Sequence, residues 1–147
     1  LMDGGSDKNQ TISDYAVFLR KLLPEIIGFR CIYRAGNLFW EEYDEPVEFS
    51  ELYDACLQKV LHAPSQATSA GRVPLDNTTA YIFPLLEGQD LVLGALTIVV
   101  GSELDLDLAT CLDRTKVAVR SLQRELRLGY RLVTSYKKLN VRSAEEN

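Results

Sequence analysis

Residues 79–100 read TAYIFPLLEGQDLVLGALTIVV, and this stretch decides the fold. Gly88, Gln89 and Asp90 are turn-forming residues between two apolar runs, so Thr79–Leu86 and Leu91–Val100 are expected to be consecutive strands. Both alternating sets of the second run are apolar: Leu93, Ala95 and Val99 on one, Val92, Leu96 and Ile98 on the other. A strand of that kind lies centrally, with both sheet faces covered. Pro84 cannot donate to a ladder, which places it at an edge, an end or a bulge.

Upstream, Ser13 is the expected cap of a helix carrying Tyr15, Phe18, Leu19, Leu22 and Leu23 at helical spacing, and Pro24 ends it. Phe29, Cys31 and Tyr33 alternate with Arg30, Ile32 and Arg34, the signature of a half-buried strand. Ala35-Gly36-Asn37 turns the chain into a second strand, Leu38–Tyr43. Ser50 caps a second helix with Leu52, Tyr53, Cys56, Leu57, Val60 and Leu61 as its stripe. His62 to Pro74 reads as a loop, with room for one short strand.

Downstream, Leu104–Leu139 is expected to form one long helix. Leu108, Leu112, Thr115, Val119, Leu122, Leu126, Gly129, Val133 and Tyr136 alternate spacings of four and three, the heptad seam of a coiled coil. Cys111, Ala118, Leu132 and Leu139 flank it. The first half is expected to pack on the sheet and the second half to leave the domain. The element order predicts an α+β fold: an antiparallel sheet of five to six strands flanked by helices, with a long C-terminal helix. Residues 1–10 read as a flexible lead-in, 11–103 as the body and 104–147 as the packing and signalling helix.

The 147 residues amount to one domain. The formal net charge of −5 gives no bulk attraction for nucleic-acid phosphates. The charge is polarised: residues 1–113 hold 7 Lys/Arg and 18 Asp/Glu, whereas 114–142 hold 9 Lys/Arg and one acid, Glu125. No apolar run approaches the roughly 18 residues of a membrane helix. Cys31, Cys56 and Cys111 are far apart and in apolar surroundings, so they read as free buried thiols of a reducing cytoplasm. With no CxxC and one histidine, His62, no metal site is expected.

The run Tyr81-Ile82-Phe83-Pro84-Leu85-Leu86-Glu87-Gly88-Gln89-Asp90-Leu91-Val92-Leu93-Gly94-Ala95-Leu96-Thr97-Ile98 is similar to the GAF pattern. That pattern closes one strand with Pro-Leu, turns on Gly, and continues with Gly among alternating apolar residues. Together with the leading helix, the hairpin and the exit helix, the resemblance spans Ile12 to Tyr136. Residues 126–146, with Tyr136-Lys137-Lys138-Leu139, also resemble the connector before EAL phosphodiesterase domains of bacterial cyclic-di-GMP proteins. The resemblance implies a cytoplasmic, non-catalytic sensory domain that dimerises through its C-terminal helix and controls an attached output domain. No cyclic-nucleotide signature, bilin-attachment context or methionine sulfoxide reductase cysteine set accompanies it, so no cofactor is assigned.

Phe29, Tyr33, Trp40, Tyr53, Tyr81 and Phe83 bracket a candidate small-molecule pocket, with Arg72 and Asn77 as polar contacts under a 62–79 lid. Core packing is the competing role for these aromatics. Leu112, Val119, Leu122, Leu126, Val133 and Tyr136 are the candidate dimer interface. His62 has no oriented acid or nucleophile that its sequence context supplies. The acidic run Glu41, Glu42, Asp44, Glu45, Glu48, Glu51 and Asp54 lacks the spacing of a calcium loop and reads as a solvated face. The basic run Arg114, Lys116, Arg120, Arg124, Arg127, Arg131, Lys137 and Lys138 lies off the seam, as a solvated face or a surface for an acidic partner. Two other classes share the element order: a small enzyme on the same scaffold, such as a sulfoxide reductase, and a ligand-free interaction module of roadblock or PAS type.

Overall fold

The computed structural model describes residues 14–62, 70–88 and 91–146, with side chains described as far as Tyr130. Helix α1 occupies residues 14–22. Strands β1 (Ile26–Tyr33) and β2 (Leu38–Tyr43) follow, then α2 (Glu51–Leu61), β3 (Gly71–Pro74), β4 (Thr78–Glu87), β5 (Leu91–Gly101) and α3 (Leu108–Glu146). The expected Ser13 cap lies outside the described residues. Gly36 and Gly88 adopt the left-handed conformation that their turns need, with φ of 99° and 65°.

The five strands form one antiparallel sheet in the order β2-β1-β5-β4-β3. The expected α+β architecture is therefore the one observed. β5 is central and buried along nearly its whole length, as its two apolar faces require. β3 pairs with β4 only from Pro74 opposite Thr79 to Gly71 opposite Ile82. Among the described residues β4 is thus an edge at Pro84, the position where a residue without N–H is tolerated.

Each sheet face carries its own core. On one, α1 supplies Ala16 and Leu19, Leu23 follows just past its end, and α3 supplies Cys111, Ala118, Val119, Leu122 and Leu126. These cover Phe29 and Cys31 of β1, Tyr81, Phe83 and Leu85 of β4, and Leu96 and Ile98 of β5. On the other face, α2 lays Tyr53, Leu57, Val60 and Leu61 over Ile32, Val73, Ala80, Ile82, Ala95 and Val99. Ser50 caps α2 as its sequence requires, its hydroxyl accepting the Tyr53 N–H at 3.1 Å. Burial of this much branched apolar surface, at roughly 25 cal/mol per Å², dominates the stability of such a domain.

Two sequence expectations are corrected here. The long helix begins at Leu108, not Leu104. Asp107 caps it, its carboxylate accepting the Thr110 N–H at 2.7 Å, while Leu106, just before the helix, is buried in the core. Leu93 does not share a face with Ala95 and Val99 but packs with Leu96 and Ile98. The cause is a bulge: Leu85 pairs with Gly94 and Leu86 with Val92, leaving Leu93 unmatched. One extra residue reverses the alternation on one side of the irregularity.

Candidate functional site: a groove where the last helix leaves the sheet

A second bulge lies in β2. Cys31 pairs with Trp40 and Ile32 with Leu38, so Phe39 is skipped. Both irregularities fall near the same end of the sheet, and both extra residues turn toward the face covered by α1 and α3. Phe39 meets Tyr33 edge-on, with ring centroids 5.2 Å apart. The Arg34 N–H donates to the Leu93 carbonyl at 2.9 Å and the Tyr33 N–H to the Asn37 carbonyl at 2.9 Å, which fixes the hairpin tip against the β5 bulge.

Over these residues passes α3. Its turn at 123–127 is tied to the end of β4: Gln123 Oε1 accepts the Leu86 N–H at 3.0 Å, and Arg127 donates to the Leu86 carbonyl at 3.3 Å. Arg127 also pairs with Glu87 at 3.7 Å. One turn further the helix no longer fills the space below it. A groove of about 380 Å³ opens there, lined by Tyr33, Asn37, Phe39, Leu93, Glu125, Leu126, Gly129 and Tyr130. Its walls are mainly apolar, and its polar groups are the Asn37 amide, the Glu125 carboxylate and two tyrosine hydroxyls. Gly129 enlarges it: a Cβ at this position would have nothing within 4 Å.

Of the aromatic pocket expected from sequence, only Tyr33 reaches this groove. Phe29, Tyr81 and Phe83 are buried in the core beneath α1 and α3, with Trp40 half-buried beside them. Tyr53 belongs to the opposite core, so the sheet itself separates it from the others. The tyrosines are satisfied internally: the Tyr53 hydroxyl lies 2.8 Å from Thr97 Oγ1, and the Tyr81 hydroxyl donates to the Leu106 carbonyl. Arg72 is exposed and lies over the Tyr81 ring, 5.9 Å from its centroid, on the sheet edge remote from the groove. Asn77 borders a separate cleft with Glu45, Glu48 and Asp76. These aromatics fill two cores because consecutive strands alternate their side chains between two covered faces. Residues 63–69 of the expected lid lie outside the described residues.

The candidate dimer seam divides similarly. Val119, Leu122 and Leu126 are buried against the chain's own sheet, Leu112 is exposed, and the side chains of Val133 and Tyr136 lie outside the description. A seam of heptad spacing suits a sheet face as well as a partner helix, because both ask only for one apolar stripe.

The thiols are poorly disposed for nucleophilic work. Burial pushes Cys31 and Cys111 up to about 12 and raises Cys56 as well. Cys56 is half-buried, not buried as its sequence context suggested. His62 is exposed at the end of α2, and no group of three or more potential metal ligands occurs among the described residues. Burial, then the charge of Glu125, raises Tyr15, whose hydroxyl donates to the Ser121 carbonyl at 3.0 Å and docks α1 on α3.

No helix among the described residues is long and apolar enough to cross a membrane. Compared with family models, with curated proteins and with solved structures, the chain matches none.

Proposed function

We propose that the chain is a regulatory, GAF-like sensory domain of a cytoplasmic bacterial signalling protein, in which occupancy of the groove alters the docking of α3. One observation carries this reading. The groove is shared between the body, through Tyr33, Phe39 and Leu93, and the exit turn of the helix, through Leu126, Gly129 and Tyr130. A ligand held by both parts changes the free energy of holding them together, and only such differential contact shifts a conformational equilibrium. α3 continues to Glu146 and gives the change a path toward an attached output domain, for which a cyclic-di-GMP phosphodiesterase of the EAL class is our reading. The domain works as a homodimer through the outward side of α3. A catalytic role is disfavoured by buried thiols held protonated.

The test uses backbone amide exchange. Gly129→Leu fills the groove from the helix side and stands in for an occupant. The exchange protection of Leu86 and of residues 123–130 is expected to change by tenfold or more, with that of β4 and β5 elsewhere unchanged. Unchanged protection at Leu86 and 123–130 in a folded variant refutes coupling between groove and helix.

A further inference from the structure

We infer that the groove takes a small aromatic amine, with its ring among Tyr33, Phe39 and Leu93 and its ammonium group against Glu125. This assignment rests on the groove being the input site.

The charge pattern comes first. Ten charged residues lie between Arg114 and Arg142, and Glu125 is the single acid among them. It is also the one charged residue of the groove lining. On a helix the pairing neighbour of residue i stands at i+4. For Glu125 that neighbour is Gly129, which has no side chain and open space where one would be. Of the nearby bases, Arg127 is engaged with Glu87 and the Leu86 carbonyl, and Arg124 makes no ion pair with Glu125. Glu125 makes no ion pair with a described residue, so its carboxylate remains open to a cation from solution.

The walls agree with the charge. Tyr33 and Phe39 stand edge to face, and ring faces attract cations that approach within about 6 Å of their centroids. An anion would meet Glu125 with no basic side chain in the lining to offset it. Size narrows the class further. At about 380 Å³ the groove is near the lower limit of small-molecule sites, which span roughly 300–1,000 Å³. One ring with a short amine chain fits that space, and a dinucleotide or a tetrapyrrole does not.

Three probes with one ring and different charge test the assignment: 2-phenylethylamine, 2-phenylethanol and 3-phenylpropionate. Each is titrated into the isotope-labelled chain while the amide signals of residues 33–39, 91–94 and 123–130 are followed. The amine is expected to saturate these shifts with an affinity at least tenfold above the other two. Glu125→Gln should erase that preference without lowering the melting temperature, and Gly129→Leu should abolish binding of all three. If the alcohol or the propionate binds as tightly as the amine, or if Glu125→Gln keeps the preference, the amine assignment falls while a Gly129→Leu-sensitive groove stands. If no probe moves these signals, or if binding survives Gly129→Leu, the groove is not a ligand site and both readings fall.

Discussion

Gly94 of β5 lies directly against the carbonyl of Ile32 in β1: a Cβ built on it would come within 2.2 Å of that oxygen. The neighbour is backbone in the middle of a sheet, so it cannot rotate away. Gly94→Ala is therefore expected to cost about 3 kcal/mol, the upper part of the usual overpacking range. Urea unfolding monitored by circular dichroism checks this. A loss under about 1 kcal/mol would mean that β1 and β5 are not this close.

Gly129 gives the opposite result. It sits inside a helix, where glycine is about 1 kcal/mol worse than alanine, and no atom lies within 4 Å of the missing Cβ. Gly129→Ala should stabilise the domain by about 0.5–1 kcal/mol in the same assay.

Asp107 caps α3, and the bond from the Thr110 N–H holds its carboxyl below the ordinary value of 3.8. A carboxyl with a lowered folded value stabilises above its unfolded value, and the effect disappears as pH falls through the folded one. Asp107→Ala should lower the melting temperature at pH 7, and its gap from the parent should close as pH falls below about 4. A gap that persists at the lowest pH would assign the loss to something other than the charged cap.

At alkaline pH the buried thiols set the slope. Cys31 and Cys111 are pushed by burial from 9.0 to about 12. A raised folded value contributes stability that is whole below pH 9 and is lost as pH rises toward 12. Each thiol adds at most about 1.4 kcal/mol per pH unit in that window. The double variant Cys31→Ala/Cys111→Ala should therefore show a shallower fall of unfolding free energy between pH 9 and 10, measured under reducing conditions. Equal slopes would mean that the thiols ionise freely in the native state.

Leu112, Val117 and Leu128 are exposed on α3 at 39, 53 and 54 %, while Leu122 and Leu126 are buried. If the helix is the dimer contact, replacing the three exposed residues by Glu should halve the sedimenting mass and leave the melting temperature within a few degrees. Leu122→Ala, by contrast, should cost about 2–5 kcal/mol through its cavity whatever the oligomeric state. An unchanged dimer after the triple replacement would move the interface off α3.

Much of this architecture was legible because single residues announced it. Ser50 announced a helix start, Gly88 a turn, and two apolar faces announced a central β5. What stayed hidden was the bulges at Phe39 and Leu93. Alternation read along a sequence assumes that every residue has a partner, and nothing local marks the one that is skipped. That assumption moved Leu93 to the wrong face and left Phe39 out of the site. Two signals for the groove were nonetheless present: a glycine interrupting a regular seam at 129, and a lone acid at 125 in a basic stretch. The seam's direction was illegible for another reason, since an apolar stripe does not say whether it meets its own sheet or a second helix.

The pairing of β1 with β5 has a kinetic consequence. Tyr33 lies opposite Gly94 and Ile26 opposite Val100, so the central ladder joins the earliest strand of the body to the latest. The two flanking hairpins, β1 with β2 and β4 with β5, involve near neighbours along the chain and can close early. The ladder between them must wait, because it closes a far longer loop before any contact rewards it. During synthesis, β1 and β2 therefore leave the ribosome with one edge unsatisfied, and the sheet completes only after residues 91–101 have emerged.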